Sequence, residues 1–479
     1  MTSTEVAAQT VVIAGAGPCG LAAALALHQA GWRRITLLER NASATTFDKN
    51  KGFNYLIDAR GQKLLRTLGI ADRLAEYGVE NQRNVMTLVQ PDGEQKVFKS
   101  PFWDPARDSA WWSRRERFQA LLSDRIEEIN DGRIDLRYGH EFVDLAPGDA
   151  ATDIITRSPD GTNETFEADL LLGCDGLKSK VRLAMAAHGG VPESRFDRHQ
   201  FPSPSSVLYY KVLSMPAVTP LRLGDQAADD HRMGYAYLAR HKDPRQALAL
   251  VSYPVATPDE PRTVNVIRLP DHEVWEQEDP EALLAFLDDA FPQLPVRDVL
   301  TAEEAADFVG MPPGRFPSPQ YTEQCHAVVG PAAAPLACVL LGDAAHAFPP
   351  DLGLGVNTAL EDVGHLLTSL ADAGNLPAAV RQYDESQASE RRALVKLVQT
   401  VAPYQYNHRP TALKLWALRF FGVTLLHRLL PFFIDRPAVL LAQQDELPFS
   451  EIRRRQVNNR WKIGGLLTAV GAAVAVLLS

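Results

Sequence analysis

Three stretches of the chain carry glycines and an acid at spacings suited to holding an extended polar ligand. The first is Gly15-Ala-Gly17-Pro-Cys-Gly20. Between a strand and a helix, the first glycine of such a run makes a tight turn. The second lets bare backbone meet a pyrophosphate, and the third lets helix and strand pack closely. Glu39, followed by Arg40, lies nineteen residues past Gly20. An acid there binds ribose hydroxyls and favours a ribose with a free 2′-hydroxyl, as in FAD or NAD, over a 2′-phosphate. The second stretch is Gly173-Cys-Asp175-Gly176-Leu-Lys-Ser179-Lys-Val-Arg182, again a strand end meeting an acid, a glycine and a helix start. The third is Gly342-Asp343-Ala-Ala-His346, then Ala-Phe-Pro349-Pro350-Asp-Leu-Gly353-Leu-Gly355-Val-Asn357. It reads as strand, loop and helix, with Asn357 opening the helix. Its glycines bring main-chain N–H groups close to a ligand, the helix N-terminus adds partial positive charge, and Asp343 can accept from hydroxyls. Alone, this third stretch suits any anionic or polyol ligand, or an ordinary turn of a large α/β domain.

Periodicity supplies the strands and helices these stretches need. Residues 10–14 form an apolar strand, 21–30 a helix and 35–38 a second strand, completing a βαβ unit. Strand character returns at 52–57, with a helix at 60–68. Residues 85–89 and 95–98 flank Pro91-Asp-Gly93 as a hairpin. A helix is expected at 115–129 and strands at 134–138, 154–156, 165–167 and 170–172. From 196 to 270 the chain turns β-rich and aromatic, with strands at 207–212, 233–238, 247–253 and 263–269. This reads as an antiparallel sheet inserted into the α/β unit, the 85–98 hairpin at its edge. A helix at 281–291 and a return at 308–315 follow. Residues 360–460 are mostly helical, including 388–401 and 413–433.

Composition narrows the partners. A chain of 479 residues with net charge −10 and no basic stretch interleaved with aromatics excludes a nucleic-acid partner. Cys19, Cys174, Cys325 and Cys338 are widely spaced without a C-x-x-C, so no disulfide framework and no metal site is expected, and a reducing compartment fits. Residues 1–10 lack the basic and apolar regions of a secretory signal. Residues 463–479 are uncharged and apolar, about 25 Å as a helix at ~1.5 Å per residue against a ~30 Å hydrocarbon core. Arg453, Arg454, Arg455, Arg460 and Lys462 precede them. That pattern predicts a C-terminal membrane anchor with the catalytic part facing the cytoplasm; a helix docked on the protein or on a partner is the alternative. Residues 415–434 are also apolar but interrupted by Arg419, His427 and Arg428, which suits a pocket-covering or membrane-surface helix.

The three glycine-acid stretches, in this order, resemble the flavin monooxygenases of the para-hydroxybenzoate hydroxylase fold. Phe47-Asp-Lys-Asn-Lys51-Gly-Phe-Asn54, Arg60-Gly61, Arg115-Glu116 and Ser450-Glu-Ile-Arg453 with Arg460-Trp461 extend the resemblance to the kynurenine monooxygenase family over most of the chain. It implies an α/β fold: an FAD-binding Rossmann-like domain (1–80, 112–185, 325–370), an inserted antiparallel β-sheet substrate domain (81–111, 186–324), a helical C-terminal region (371–460) and the hydrophobic tail helix (463–479). It implies FAD as cofactor, NADPH or NADH as co-substrate without a Rossmann domain of its own, O2, and hydroxylation of an aromatic or lipophilic small molecule. By resemblance Gly15, Gly17 and Gly20 hold the ADP pyrophosphate, and Glu39 with Arg40 lies at the adenosine ribose. Lys51 and Arg115 lie near the flavin, and Asp175-Gly176 serves both FAD and the nicotinamide. Gly342-Asp343 binds the ribityl chain, Gly355 and Asn357 open a helix facing the flavin N1 and C2 carbonyl, and Pro349-Pro350 walls the isoalloxazine. His346 reads as a packed or capping histidine.

Arg83 and Gln405 fall where that family grips substrate, with departures. Arg83 has a different offset to the Pro-Asp-Gly turn, Phe102 or Trp103 stands for a tyrosine, Gln405 stands for an asparagine, and no tyrosine follows Tyr406. Losing such donors from a site that must desolvate a zwitterion tells against kynurenine itself. A flavin-dependent epoxidase or prenyl-chain reductase acting on a membrane lipid is the alternative chemistry.

Overall fold

A computed structural model describes residues 8–43, 52–81, 85–99, 109–129, 131–224, 228, 230–240, 247–401, 404, 406, 409–445 and 447–478. Lys51, Arg83, Phe102, Trp103 and Gln405 lie outside them.

The runs Val-Val-Ile and Leu-Leu-Leu, apolar at every position, are buried on both faces as parallel strands must be. They stand in a six-stranded sheet ordered His326–Val329, Leu336–Leu340, Leu170–Gly173, Thr10–Ala14, Arg34–Glu39 and Ile134–Tyr138. All neighbours are parallel except the outermost, His326–Val329. Val11 and Ile13 face one layer, with Leu21, Leu25 and Leu360 from the helices Pro18–Gln29 and Leu354–Asp372. Val12 and Ala14 face the other, with Leu145, Ile154 and Val181. Burying a side chain such as Ile13 or Leu172 fully contributes about 1.5–3 kcal/mol.

The second sheet has seven strands: Gly314–Arg315, Tyr209–Met215, Arg262–Arg268, Ala249–Ser252, Gly234–Leu238, Val85–Val89 and Gln95–Lys99. The hairpin sits at its edge, as expected. The expected all-antiparallel pairing needs correction, because Gly234–Leu238 and Val85–Val89 run parallel, Ala236 opposite Leu88. The hairpin comes from an earlier part of the chain, so no short turn imposes an antiparallel direction on that pair. One face of the sheet carries Leu213, Val264 and Val266 against Leu283, Leu287 and Phe308 of the helices Pro280–Ala290 and Ala302–Gly310. The latter helix, capped by Thr301, takes in the first three residues of what reads in sequence as a return at 308–315.

Two further differences concern helix bounds. The third glycine stretch enters its helix at Leu354, behind Gly353 at φ +64°, three residues before Asn357. The terminal apolar run is the end of one helix, Phe449–Leu478, whose front half is charged and anchored by Phe449 and Ile452 against Leu394 and Val398. Among the described residues, no helix is long and apolar enough to cross a membrane.

Candidate active site

A cavity of about 2450 Å³ opens at the C-terminal ends of the central parallel strands and extends to the second sheet, the crevice where α/β sheets bind ligands. All three glycine-acid stretches reach it: Gly15, Gly17, Asp175, Gly176, Asp343 and Gly355 line it, with Glu39, Arg40, Arg115 and Pro349. Gly20, Gly342 and Asn357 lie outside that lining and act from behind it.

The glycines divide the work. Gly15 turns the chain at φ +101°, and a Cβ there would come within 2.6 Å of the Cys174 carbonyl oxygen. At Gly20 a Cβ would meet the Gly15 carbonyl oxygen at 1.9 Å. Both positions are glycine for packing. Gly17 is the opposite case: a Cβ there meets nothing within 4 Å, so the space above it is free for a ligand at the N-terminus of Pro18–Gln29. Glu39 tightens this cradle, Oε2 accepting from the Ala16 amide at 3.0 Å and Oε1 from the Asn41 amide at 2.9 Å.

Asp175 accepts from the amides of Lys180 (2.6 Å) and Val181 (3.1 Å), while its Oδ1 has no partner. Burial pushes its carboxyl up, and hydrogen bonds from Ser179 and those amides oppose the rise. Asp343 is exposed only through the cavity it lines. Its carboxyl is likewise raised by burial, opposed by the charges of His346, Arg115 and Arg198. Behind it, Asp362 Oδ2 accepts from the Gly342 amide at 2.8 Å and lies 2.8 Å from His346 Nε2. Burial would raise Asp362, but those contacts hold it below the ordinary carboxylate range. His346 is packed and only 3% exposed, in keeping with its reading as a packed or capping histidine.

Asn357 is fully buried. Its Nδ2 donates to the carbonyls of Leu56 and Gly353, both at 2.8 Å, and its Oδ1 accepts from the Asp58 amide at 3.1 Å. These bonds occupy both ends of the amide, so Asn357 staples the helix start to the Leu56 strand. Gly353, Gly355 and Val356 present the helix N-terminus to the cavity instead. Arg60 ties the same helix to the C-terminal region: it pairs with Glu361 at 2.9 Å, donates to the Leu447 carbonyl at 2.7 Å and lies over the Phe449 ring at 4.3 Å.

The far end of the cavity is aromatic. Phe53, Tyr210, Phe316 and Tyr406 form a row with centroid separations of 4.6, 5.0 and 5.6 Å, and all four line the space. Phe53 lies within the Phe47–Asn54 motif and Tyr406 beside Gln405, but no single motif joins the four, since they come from four separate segments.

The described residues fit a flavin dinucleotide. The open cradle at Gly17, the unpaired Asp175 Oδ1, and Asn54, whose Nδ2 and Oδ1 are both buried without partners, are groups a polar ligand would complete. The family described as FAD binding domain matches residues 8–197 and 337–401, more than half of the chain. The chain belongs to that family. It is an FAD-dependent monooxygenase. The monooxygenase is similar to the kynurenine 3-monooxygenase of Cryptococcus neoformans var. neoformans, 25% identical over 430 residues that cover 81% of this chain and 77% of that protein. It is also similar to that of Caenorhabditis briggsae, 23% identical with 98% of each covered. Among solved structures, a mutant of 2-methyl-3-hydroxypyridine-5-carboxylic acid oxygenase shares the fold with a TM-score of 0.58, at 19% identity over 83% of this chain and 91% of that one.

Proposed function

We propose that this monooxygenase hydroxylates an electron-rich aromatic small molecule, using O2 and NADPH or NADH. The observation that carries this is the one cavity joining the glycine cradle to the aromatic row, so that cofactor and substrate share one space. In this reading Gly15, Gly17 and Gly20 shape the pyrophosphate cradle, Glu39 and Arg40 meet the adenosine ribose, and Asp343 with Arg115 and Pro349 serve the flavin end. FAD, when bound, supplies the redox and oxygen chemistry that no side chain can. The chain's part is position, dryness and electrostatics, including the partial positive charge of the helix start at Gly353–Gly355. The resemblance supports a nicotinamide docked without its own Rossmann domain, beside Asp175-Gly176. It also supports the division into an FAD-binding part, an inserted substrate part and a helical C-terminal part.

Purified protein should be yellow and should consume NAD(P)H and O2 faster when an aromatic substrate is added, with the product gaining one oxygen atom. Colourless protein of intact fold would sink the reading. A hydrogenated lipid product without added oxygen would point to the reductase alternative.

A second reading concerns the surface. Leu415, Leu418, Leu425 and Leu429 of the helix Pro410–Leu429 are exposed, as are Phe432, Trp461, Leu467 and Val470. Between Tyr404 and Lys462 ten lysines and arginines stand against four carboxylates. This supports a helix pair lying on an anionic lipid surface rather than spanning it. Vesicles of phosphatidylcholine with phosphatidylglycerol should float the protein. Leu418→Glu combined with Leu425→Glu should cut the bound fraction about tenfold or more, each change burying a charge in the interface. Equal flotation of both proteins would refute this placement.

A further inference from the structure

We propose that Arg268 anchors a carboxylate carried by the aromatic substrate, a subsite role that rests on the monooxygenase reading above. Four arginines are buried among the described residues: Arg60, Arg262, Arg268 and Arg391. Arg60 pairs with Glu361 and Arg391 with Asp384. Arg262 has no carboxylate but spends its guanidinium on the carbonyls of Ala217, Met233, Asp230 and Tyr253. Arg268, at the other end of the same strand, is 8% exposed and lines the cavity. Its Nη1 donates to the Tyr406 carbonyl at 3.0 Å, and its buried Nε has no partner. No carboxylate pairs with it among the described residues.

A buried guanidinium without a counter-charge is costly. Burial brings its pKa down only to about 10, so it stays charged at neutral pH, and a negative group entering the cavity recovers the lost solvation. The aromatic row from Phe53 to Tyr406 ends at the residue Arg268 touches, so a flat ring along that row can carry its carboxylate to the guanidinium. Asn265, on the same strand and also lining the cavity, has Oδ1 without a partner. It offers an acceptor to a ring hydroxyl or amine.

The test titrates the FAD-loaded protein with two matched pairs, anthranilate against anthranilamide and 3-hydroxybenzoate against 3-hydroxybenzamide. Binding is read from the flavin absorption spectrum and turnover from NADPH-dependent oxygen uptake. Each carboxylate should bind about tenfold or more tightly than its amide, the margin of a charge-assisted hydrogen bond in a desolvated site. Arg268→Met should erase that margin while amide affinity and FAD content stay unchanged, and Arg268→Lys should keep part of it. A wild-type protein that binds amides as well as acids, or a methionine variant that keeps the preference, overturns the proposal and leaves the monooxygenase reading standing. If neither series perturbs the flavin or stimulates oxygen uptake, the aromatic reading fails and takes the subsite with it. Should the methionine variant not fold, the wild-type acid-to-amide ratio alone still decides.

Discussion

Gly17→Val should give a protein that folds, and melts like the FAD-free parent, yet comes off the column colourless. Gly17 is the residue before Pro18–Gln29, at φ −72° and ψ 179°, an extended conformation any residue adopts, and its missing side chain faces nothing within 4 Å. Valine therefore strains no backbone and displaces no protein atom. Its methyl groups occupy the space at the helix N-terminus where backbone amides would meet a pyrophosphate. Loss of that approach should weaken FAD by about a hundredfold or more, roughly 3 kcal/mol at 1.4 kcal/mol per tenfold. Gly20→Ala is the matched contrast. Its Cβ would press on the Gly15 carbonyl oxygen at 1.9 Å, so helix and strand must part, at a cost of about 1–3 kcal/mol to the fold itself. Flavin absorbance and a urea midpoint, measured on both, separate the two roles. A valine variant that keeps stoichiometric FAD would show that the pyrophosphate lies elsewhere.

Asn357→Leu should be the most destabilising single change at the flavin end. The two side chains are close in size, but leucine leaves the carbonyls of Leu56 and Gly353 and the amide of Asp58 without their present partner. Orphaned buried groups cost about 1–3 kcal/mol each, giving on the order of 3–5 kcal/mol together after relaxation. Asn357→Asp keeps the acceptor but sets a carboxylate against two carbonyl oxygens, and should be no milder. Because Asn357 also fixes Gly353, the turn that aims the helix start at the cavity, FAD affinity should fall with stability. Chemical denaturation of the FAD-free proteins isolates the structural part. A leucine variant within about 1 kcal/mol of the parent would show that the staple contributes little.

The three glycine-acid stretches that reach the cavity were legible because their chemistry is local. Glycine and acid spacing, and strands such as Thr10–Ala14, Val85–Val89 and Ile134–Tyr138, follow from runs of adjacent residues. The reading of Asn357 erred because asparagine is a good capping residue, while the turn was made earlier by a glycine able to adopt positive φ. Arg268 was invisible: a sequence contains many arginines and does not show which one ends buried at the cavity with no carboxylate partner among the described residues. The aromatic row draws on four distant segments, and the parallel pairing of Gly234–Leu238 with Val85–Val89 depends on a crossover no local pattern encodes. Arg83, Gln405 and Lys51 lie outside the described residues, so their roles remain expectations of the resemblance.

The order of strands in the six-stranded sheet has a consequence for how the protein is made. Leu170–Gly173 sits between Thr10–Ala14 and Leu336–Leu340, and Leu56 waits for Asn357. At ribosomal speeds of about 5–20 residues per second, the first two of these strands stand for roughly 10–30 seconds with one edge bare before the third arrives. The glycine-acid part of the cavity lining is not complete until synthesis has passed Ala359, so a ligand held there is captured late. The nascent nucleotide-binding half must meanwhile survive with an open hydrophobic edge.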